Sequence, residues 1–424
     1  MSLLSINRPA RPARRASFLA TGLVVLGLLG AACSAATPAP TDRLGVVTIP
    51  AGEKIHIAFW GVLSGADSVL GLDAQRGVEL AIADQGKLLN RDILLTSEDG
   101  LCTPEGGATA AQKMAADTTI VGLVGSTCSD ETVGGVAALT NAGMTTISPS
   151  NTRPALTDPT RDATYAGYLR TAHSDAFQGL AVAEFLYNEL GLRTAATIHD
   201  GSAYAEALQG VFADNFVRLG GTITVQEAVQ KGQTDMHAVL TTIAASNAGA
   251  APDVIYYPIF TAEGGFVTAQ IGDVAGLEDV VRIGSDGMFS QQLVNAAGPA
   301  AEGLYLSSPN FSAFQAGYQD FLAKHQAAYG EAPIQAFHAH AYDAANILFA
   351  AIKKVGIVQG DTLYIPRGAL RDAIYATQAF PGITGVLTCG QYGDCGAPII
   401  AVYQITARET GGTWPPEAPV WPQP

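Results

Sequence analysis

Between Ile55 and Ile283 short apolar runs alternate with amphipathic stretches, and this order leaves few folds open. Runs at Ile55–Leu63, Ile93–Thr96, Ile120–Val124 and Met144–Ile147 read as strands. They are separated by helical patterns over Asp73–Asp84, Glu105–Ala116 and Asp130–Ala142. Strand–helix alternation of this kind builds a parallel sheet covered by helices on both faces. From Asp175 the order restarts. Helices are expected over Ala176–Leu190, Tyr204–Leu219, Asp235–Ala245 and Glu263–Ile271, with strands Thr194–His199, Ile223–Ala228, Val254–Pro258 and Val281–Ile283. The pattern breaks near Leu304–Asn310. Helices Ala313–Tyr329, Ala336–Val355 and Arg367–Thr377 follow, then a turn-rich Cys389–Cys395 stretch and a strand over Ile399–Ile405. A body of this length fits two domains. The expected architecture is α/β: two doubly wound parallel-sheet lobes joined by a hinge with several crossovers, near Thr171, Ser308 and Thr384. Residues 54–171 with 309–384 would form one lobe, and 172–308 with 385–408 the other.

The ends of the chain read differently. Arg8, Arg11, Arg14 and Arg15 precede an apolar run from Phe18 to Leu29. That run is shorter than the roughly 20 residues a membrane span needs, and a basic region, an apolar core and small residues describe a secretory leader over residues 1–32. Its ending, Leu-Gly-Ala-Ala-Cys33, resembles the bacterial lipobox, which implies cleavage before Cys33 and acylation of its thiol. Residues 33–53 read as a flexible tether, and 409–424, rich in Pro and Trp, as an irregular tail. Acidic side chains outnumber basic ones by 15, which argues against nucleic acid and against adsorption to anionic lipid. With Cys33 assigned to lipid, Cys102, Cys128, Cys389 and Cys395 remain. Four cysteines allow three pairings, of which 102–128 with 389–395 is the most economical in an exported chain. A metal site is the alternative, but no Cys-x-x-Cys occurs and no histidine lies near these positions.

Ligands of open parallel sheets sit beyond the carboxyl ends of the strands. The first set of ends offers Ser64, then Ser126 to Ser129, then Ser148 to Thr152. These are hydroxyls and helix starts, suited to an anion. The second set offers Asp200 to Tyr204, Phe260 and Asp286, a carboxylate with aromatics, suited to a cation with an apolar body. Two such walls suit a zwitterion. Each residue also has a plainer reading: Ser129 as a helix N-cap, Asp286 as a turn residue before Gly287, Tyr204 and Phe260 as core.

These stretches resemble, in order and spacing, the branched-chain amino-acid type of ABC-transporter solute-binding protein, the type I periplasmic-binding fold. The resemblance is carried by Ile57-Ala-Phe-Trp-Gly-Val-Leu-Ser-Gly65, Ser97-Glu-Asp-Gly-Leu-Cys-Thr-Pro-Glu105, Val124-Gly-Ser-Thr-Cys-Ser129 and Thr146-Ile-Ser-Pro-Ser-Asn-Thr152. It continues through His199-Asp-Gly-Ser-Ala-Tyr204, Val254-Ile-Tyr-Tyr257 and Ile283-Gly-Ser-Asp-Gly287, and covers about residues 54–404. It implies that Ser129 and Thr152 hold the α-carboxylate and ammonium of an amino acid. The Ser150 carbonyl would accept from the ammonium, and Asp286 would pair with it. Asp286 stands where the family usually has glutamate, Leu70 where a covering aromatic is common, and Phe260 where tyrosine is frequent. Ser64 and Tyr204 complete the expected ligand-binding set.

No Gly-x-Ser-x-Gly elbow, Walker loop or Gly-x-Gly-x-x-Gly turn occurs, and His338 and His340 fall on different faces of a helix. The expectation is therefore a binding protein with no catalytic residue, metal or cofactor. It would be exported and lipid-anchored at the outer face of the cytoplasmic membrane, monomeric, and would deliver an amino acid or similar small polar ligand to an ABC permease. The alternative is a ligand-sensing protein for an amide, urea or organic acid.

Overall fold

The computed structural model describes residues 38–422. The leader and the lipobox cysteine, Cys33, lie outside the described residues. The first sheet has five parallel strands in the order Ile93–Asp99, Ile55–Gly61, Ile120–Gly125, Thr146–Ser148, Tyr168–Arg170. Ile55–Gly61 is buried along its whole length, as a central parallel strand must be when both faces are covered. Its side chains alternate. Ile57 and Phe59 pack with helices Ser68–Gln85 and His338–Val355, while Ala58 and Trp60 pack with Pro104–Ala116 and Ser129–Asn141.

The second sheet has six strands in the order Ile400–Gln404, Tyr305–Pro309, Val281–Gly284, Val254–Tyr256, Thr194–His199, Thr222–Ala228. All its pairings are parallel except that of Ile400–Gln404 with Tyr305–Pro309. Both sheets reverse strand order beside their first strand, which puts a crevice at the carboxyl ends of each. The doubly wound two-lobed architecture expected from the strand–helix alternation is therefore present.

Several expectations need correction. Residues 46–49 are not tether: Val46–Ile49 is a strand paired antiparallel with Thr362–Pro366, because Val47 and Ile49 alternate into the first lobe's core. The break near Leu304 is itself a strand, Tyr305–Pro309, at the chain's second passage between lobes. The helix expected from Ala313 begins at Gly317, after a single turn over Phe311–Ala313. The strand Tyr168–Arg170 was not read at all. The last crossing comes later than Thr384: Thr388 and Cys395 still pair with each other, and Cys395 donates its N–H to Arg170 O, so this hairpin stays on the first sheet until Ile400. The tail is docked rather than loose, since Trp414 packs on Phe289 at 4.8 Å and Trp421 pairs with Val402. Both expected disulfides, Cys102–Cys128 and Cys389–Cys395, are formed.

Asp73 ties the first helix to the loop that re-enters the first lobe. Its Oδ1 accepts from the backbone N–H of Ile334 and Gln335, and its Oδ2 from those of Phe337 and His338. The carboxylate thus caps helix His338–Val355 from outside, where the free N–H groups and the helix dipole favour a negative charge. The two helices approach so closely that a side chain at Gly77 would meet His338 O at 2.1 Å. His338 Nδ1 lies 3.0 Å from the same carboxylate and its Nε2 2.8 Å from Tyr318 Oη, so this histidine is held by protein groups. Asp73→Ala would strip three buried donors and one part-buried donor of their acceptor. Urea unfolding should show a loss of about 3 kcal/mol; a change within about 0.5 kcal/mol, as at an ordinary surface position, would refute the tie.

Candidate functional site

Two walls meet at the carboxyl ends of the sheets and enclose a narrow cavity lined by Leu70, Thr127, Cys128, Ser129, Ser150, Tyr204, Phe260, Asp286, Gly287 and Phe337. Its space for the centre of a water is about 10 Å³, roughly the room of one water. The walls are therefore closed on each other.

The first wall is the turn between strand Ile120–Gly125 and helix Ser129–Asn141. A buried carboxylate shapes it: Glu131 Oε2 accepts from Thr127 N and Cys128 N, and Oε1 from Cys102 N, at 3.0–3.1 Å. Burial lifts this acid to about 7 against the lowering effect of those donors. The helix thus starts at the cavity, with its N-terminal dipole facing it. Ser129 Oγ is buried without a hydrogen-bond partner. Ser150 Oγ donates to Thr127 O at 2.8 Å, which joins the second turn of this wall to the first.

The second wall carries the acid. Asp286 follows strand Val281–Gly284 and is buried. Its Oδ1 accepts from Gln178 Nε2 at 2.6 Å and Tyr204 Oη at 3.0 Å. Burial raises its carboxyl to about 6, and the two donors only partly offset this. Tyr204 Oη also lies 2.7 Å from Ser285 Oγ, and its ring packs on Phe260 at 5.2 Å. Gly287 must be small, since a Cβ there would meet Ile259 O at 2.8 Å. Leu70 and Phe337 complete the lining.

Cross-wall contacts are direct. Gln335 Nε2 donates to Asp286 O at 2.8 Å, and Ala203 N donates to both Asp130 carboxylate oxygens at 3.1 Å. Lys231 Nζ donates to Cys102 O at 3.1 Å and lies 3.4 Å from Asp67 Oδ2.

Six of the eight expected residues thus line one cavity: Leu70, Ser129, Ser150, Tyr204, Phe260 and Asp286. Two do not. Ser64 is exposed, and its hydroxyl donates to Asp99 Oδ2 at 2.5 Å, because the first strand's loop folds back on the edge strand. Thr152 is buried behind the lining, its Oγ1 without a partner. Residue patterns did not point to Gln178, Gln335, Phe337, Glu131 or Asp175. Only Glu131 left a trace, an acid three residues after a helix cap. Among the described residues no His, Cys, Asp or Glu cluster is arranged for a metal.

Comparison with known proteins gives the family and the fold. The periplasmic binding protein family model matches residues 54–407. A Leu/Ile/Val-binding protein of Rhizobium johnstonii is 26% identical over 360 residues, spanning 84% of this chain and 93% of its own. The branched-chain amino acid transporter substrate binding protein of Streptococcus pneumoniae, solved in complex with isoleucine, superposes with a TM-score of 0.72 at 24% identity, covering 84% of this chain and 97% of that one. A solute binding protein of R. palustris in complex with benzoate gives 0.71 at 21% identity, covering 84% and 94%. The structural likenesses show a common fold.

The raised Asp286 pKa has a consequence for stability. The folded chain binds this proton more tightly than the unfolded one, so the contribution is complete below about pH 4 and is lost as pH rises through about 6. Asp286→Asn should therefore melt higher than the parent at pH 7.5, by the equivalent of about 1–3 kcal/mol, with the gap closing at pH 4. A gap of equal size at both pH values would exclude ionisation as its cause.

Proposed function

The chain belongs to the periplasmic binding protein family, and from that premise we propose that it is the extracytoplasmic solute-binding component of an ABC importer, capturing an amino acid between its lobes for a membrane permease. One observation carries the ligand class: the facing walls have opposite character. The Ser129 hydroxyl and the start of its helix suit a carboxylate. The buried Asp286 carboxylate opposite, with no basic side chain in the lining, suits an ammonium. A zwitterion satisfies both, and Leu70, Phe260 and Phe337 receive an apolar side chain. The family is one of binding proteins, and no reaction is asked of this site.

The first lobe takes 46–171 with 310–395, and the second takes 172–309 with 400–408. Asp286, Phe260 and Tyr204 approach Ser129 and Ser150 on closure. A ligand that contacts both walls favours the closed form by the contacts that only that form offers. The leader and Cys33 support export and a lipid anchor at the outer face of the cytoplasmic membrane, with the chain acting as a monomer. A second reading, an organic acid without an ammonium, is supported by the benzoate complex of the R. palustris relative. The carboxylate at Asp286 speaks against it.

Calorimetry on the chain carrying Cys33→Ser, titrated with pooled L-amino acids and then with benzoate and urea, tests this. Binding to an amino-acid pool is expected, weakened more than tenfold by Asp286→Ala and by Ser129→Ala, since each leaves a ligand group unpaired. Benzoate binding with silence across all amino acids would replace the zwitterion reading with the organic-acid one.

A further inference from the structure

A chain of buried hydrogen bonds runs from the hinge to Asp286, and the binding reading uses only its last member. His173 follows strand Tyr168–Arg170, where the chain first passes between the lobes, and Gln178 lies in the next helix, Asp175–Glu184. His173 Nε2 is 2.6 Å from Gln178 Oε1. The Gln178 amide nitrogen donates to Asp286 Oδ1 at 2.6 Å and to Ser307 Oγ at 3.0 Å. His173 and Gln178 are both buried. Neither lines the cavity, whereas Asp286 does.

The direction of every link is fixed by the hydrogens present. Ser307 Oγ donates its own hydrogen to Gly284 O, so towards Gln178 it accepts. The Gln178 nitrogen therefore faces Ser307 and Asp286, and its two hydrogens are spent there. Its oxygen faces His173 and can only accept, so the imidazole donates from Nε2. Burial holds this ring neutral, its pKa pushed down to about 4, and a neutral imidazole has a single N–H. The ring is also held in place by stacking on Phe337, with centroids 6.1 Å apart and planes 25° apart. With the hydrogen on Nδ1 instead, Gln178 would turn its nitrogen to His173 and its oxygen to Asp286. Two acceptors would then meet unless Asp286 took up a proton. Donors aimed at a carboxylate favour its charged form, and Tyr204 Oη supplies a second one to the same Oδ1 at 3.0 Å.

We propose, resting on the amino-acid reading above, that His173 is a positioning residue for the ligand ammonium. By orienting Gln178 it keeps Asp286 a charged acceptor, and so sets the preference for an α-amino acid over the α-hydroxy acid with the same side chain. An ammonium brings three donors and a charge, a hydroxyl one donor and no charge. A carboxylate therefore separates the two ligands, and a protonated Asp286 would not. His173 touches no ligand; it acts through Gln178.

The test compares each amino acid with its oxygen analogue. The chain carrying Cys33→Ser is titrated at pH 7.5 with L-leucine, L-isoleucine and L-valine and with the corresponding L-2-hydroxy acids. The parent should hold an amino acid more than tenfold more tightly than its hydroxy counterpart. His173→Phe keeps a ring against Phe337 and removes the donor. It should cut that ratio about tenfold or more, by weakening the amino acid. His173→Gln, whose amide can donate from near the place of Nε2, should restore the ratio. A proton–nitrogen correlation spectrum of the parent should show the His173 hydrogen on Nε2. Equal weakening of both ligands in His173→Phe, with the ratio unchanged, would leave His173 a merely structural role and overturn the proposal. A hydrogen on Nδ1 overturns it by itself, even where His173→Phe fails to fold, and so does a parent that binds amino and hydroxy acids alike. Silence of the parent chain to every amino acid overturns the amino-acid reading instead, and the proposal falls with it.

Discussion

The Glu131 carboxylate fixes the first wall, and much else depends on it. It gathers the N–H groups of Cys102, Thr127 and Cys128 in a fully buried place. The Cys102–Cys128 disulfide joins the same two turns covalently. Together they set where helix Ser129–Asn141 begins, and so where its free N–H groups and the Ser129 hydroxyl face. Removing a buried acceptor from several donors costs far more than the net worth of any one bond. The wall is accordingly rigid, as a site that must recognise one geometry has to be.

The opposite wall depends on the passages of the chain between lobes. The second begins at Tyr305–Pro309, and the re-entry loop before His338 is held by Asp73. That loop carries Gln335, which reaches Asp286 O, and Phe337, which lines the cavity. A first-helix carboxylate thus sets the placement of residues that touch the second lobe. Closure is then stitched at the rim by Asp130 to Ala203 N and by Lys231 to Cys102 O. The rim is rich in acids. Burial raises Asp67, Asp130 and Glu263 above their ordinary range, with Lys231 the cation among them.

Legibility followed the length scale of each interaction. The buried strand Ile55–Gly61 was readable because a both-sided parallel strand is a continuous apolar run. Ser129, Tyr204, Phe260 and Asp286 were readable because each lies two to five residues after a strand, and strand ends define the crevice. Tyr168–Arg170 was missed because three residues containing an arginine carry no apolar period, and its burial comes from neighbours distant in sequence. Val46–Ile49 was hidden by its place after a Pro-containing stretch, although Val47 and Ile49 alternate. Ser64 was over-read, since a strand-end serine can equally fold back on an edge strand, as it does onto Asp99.

The sequence by itself determined the class of fold and the residues that follow each strand, and it pointed to the most economical disulfide pairing. All of these rest on local period or on short spacings. Only the tertiary structure decided that Gln178 braces Asp286 and that Gln335 and Phe337 reach the cavity from a distant part of the chain. Their meaning comes from burial and from contacts between residues 49 and 108 positions apart, and neither leaves a mark on the pattern of neighbouring residues.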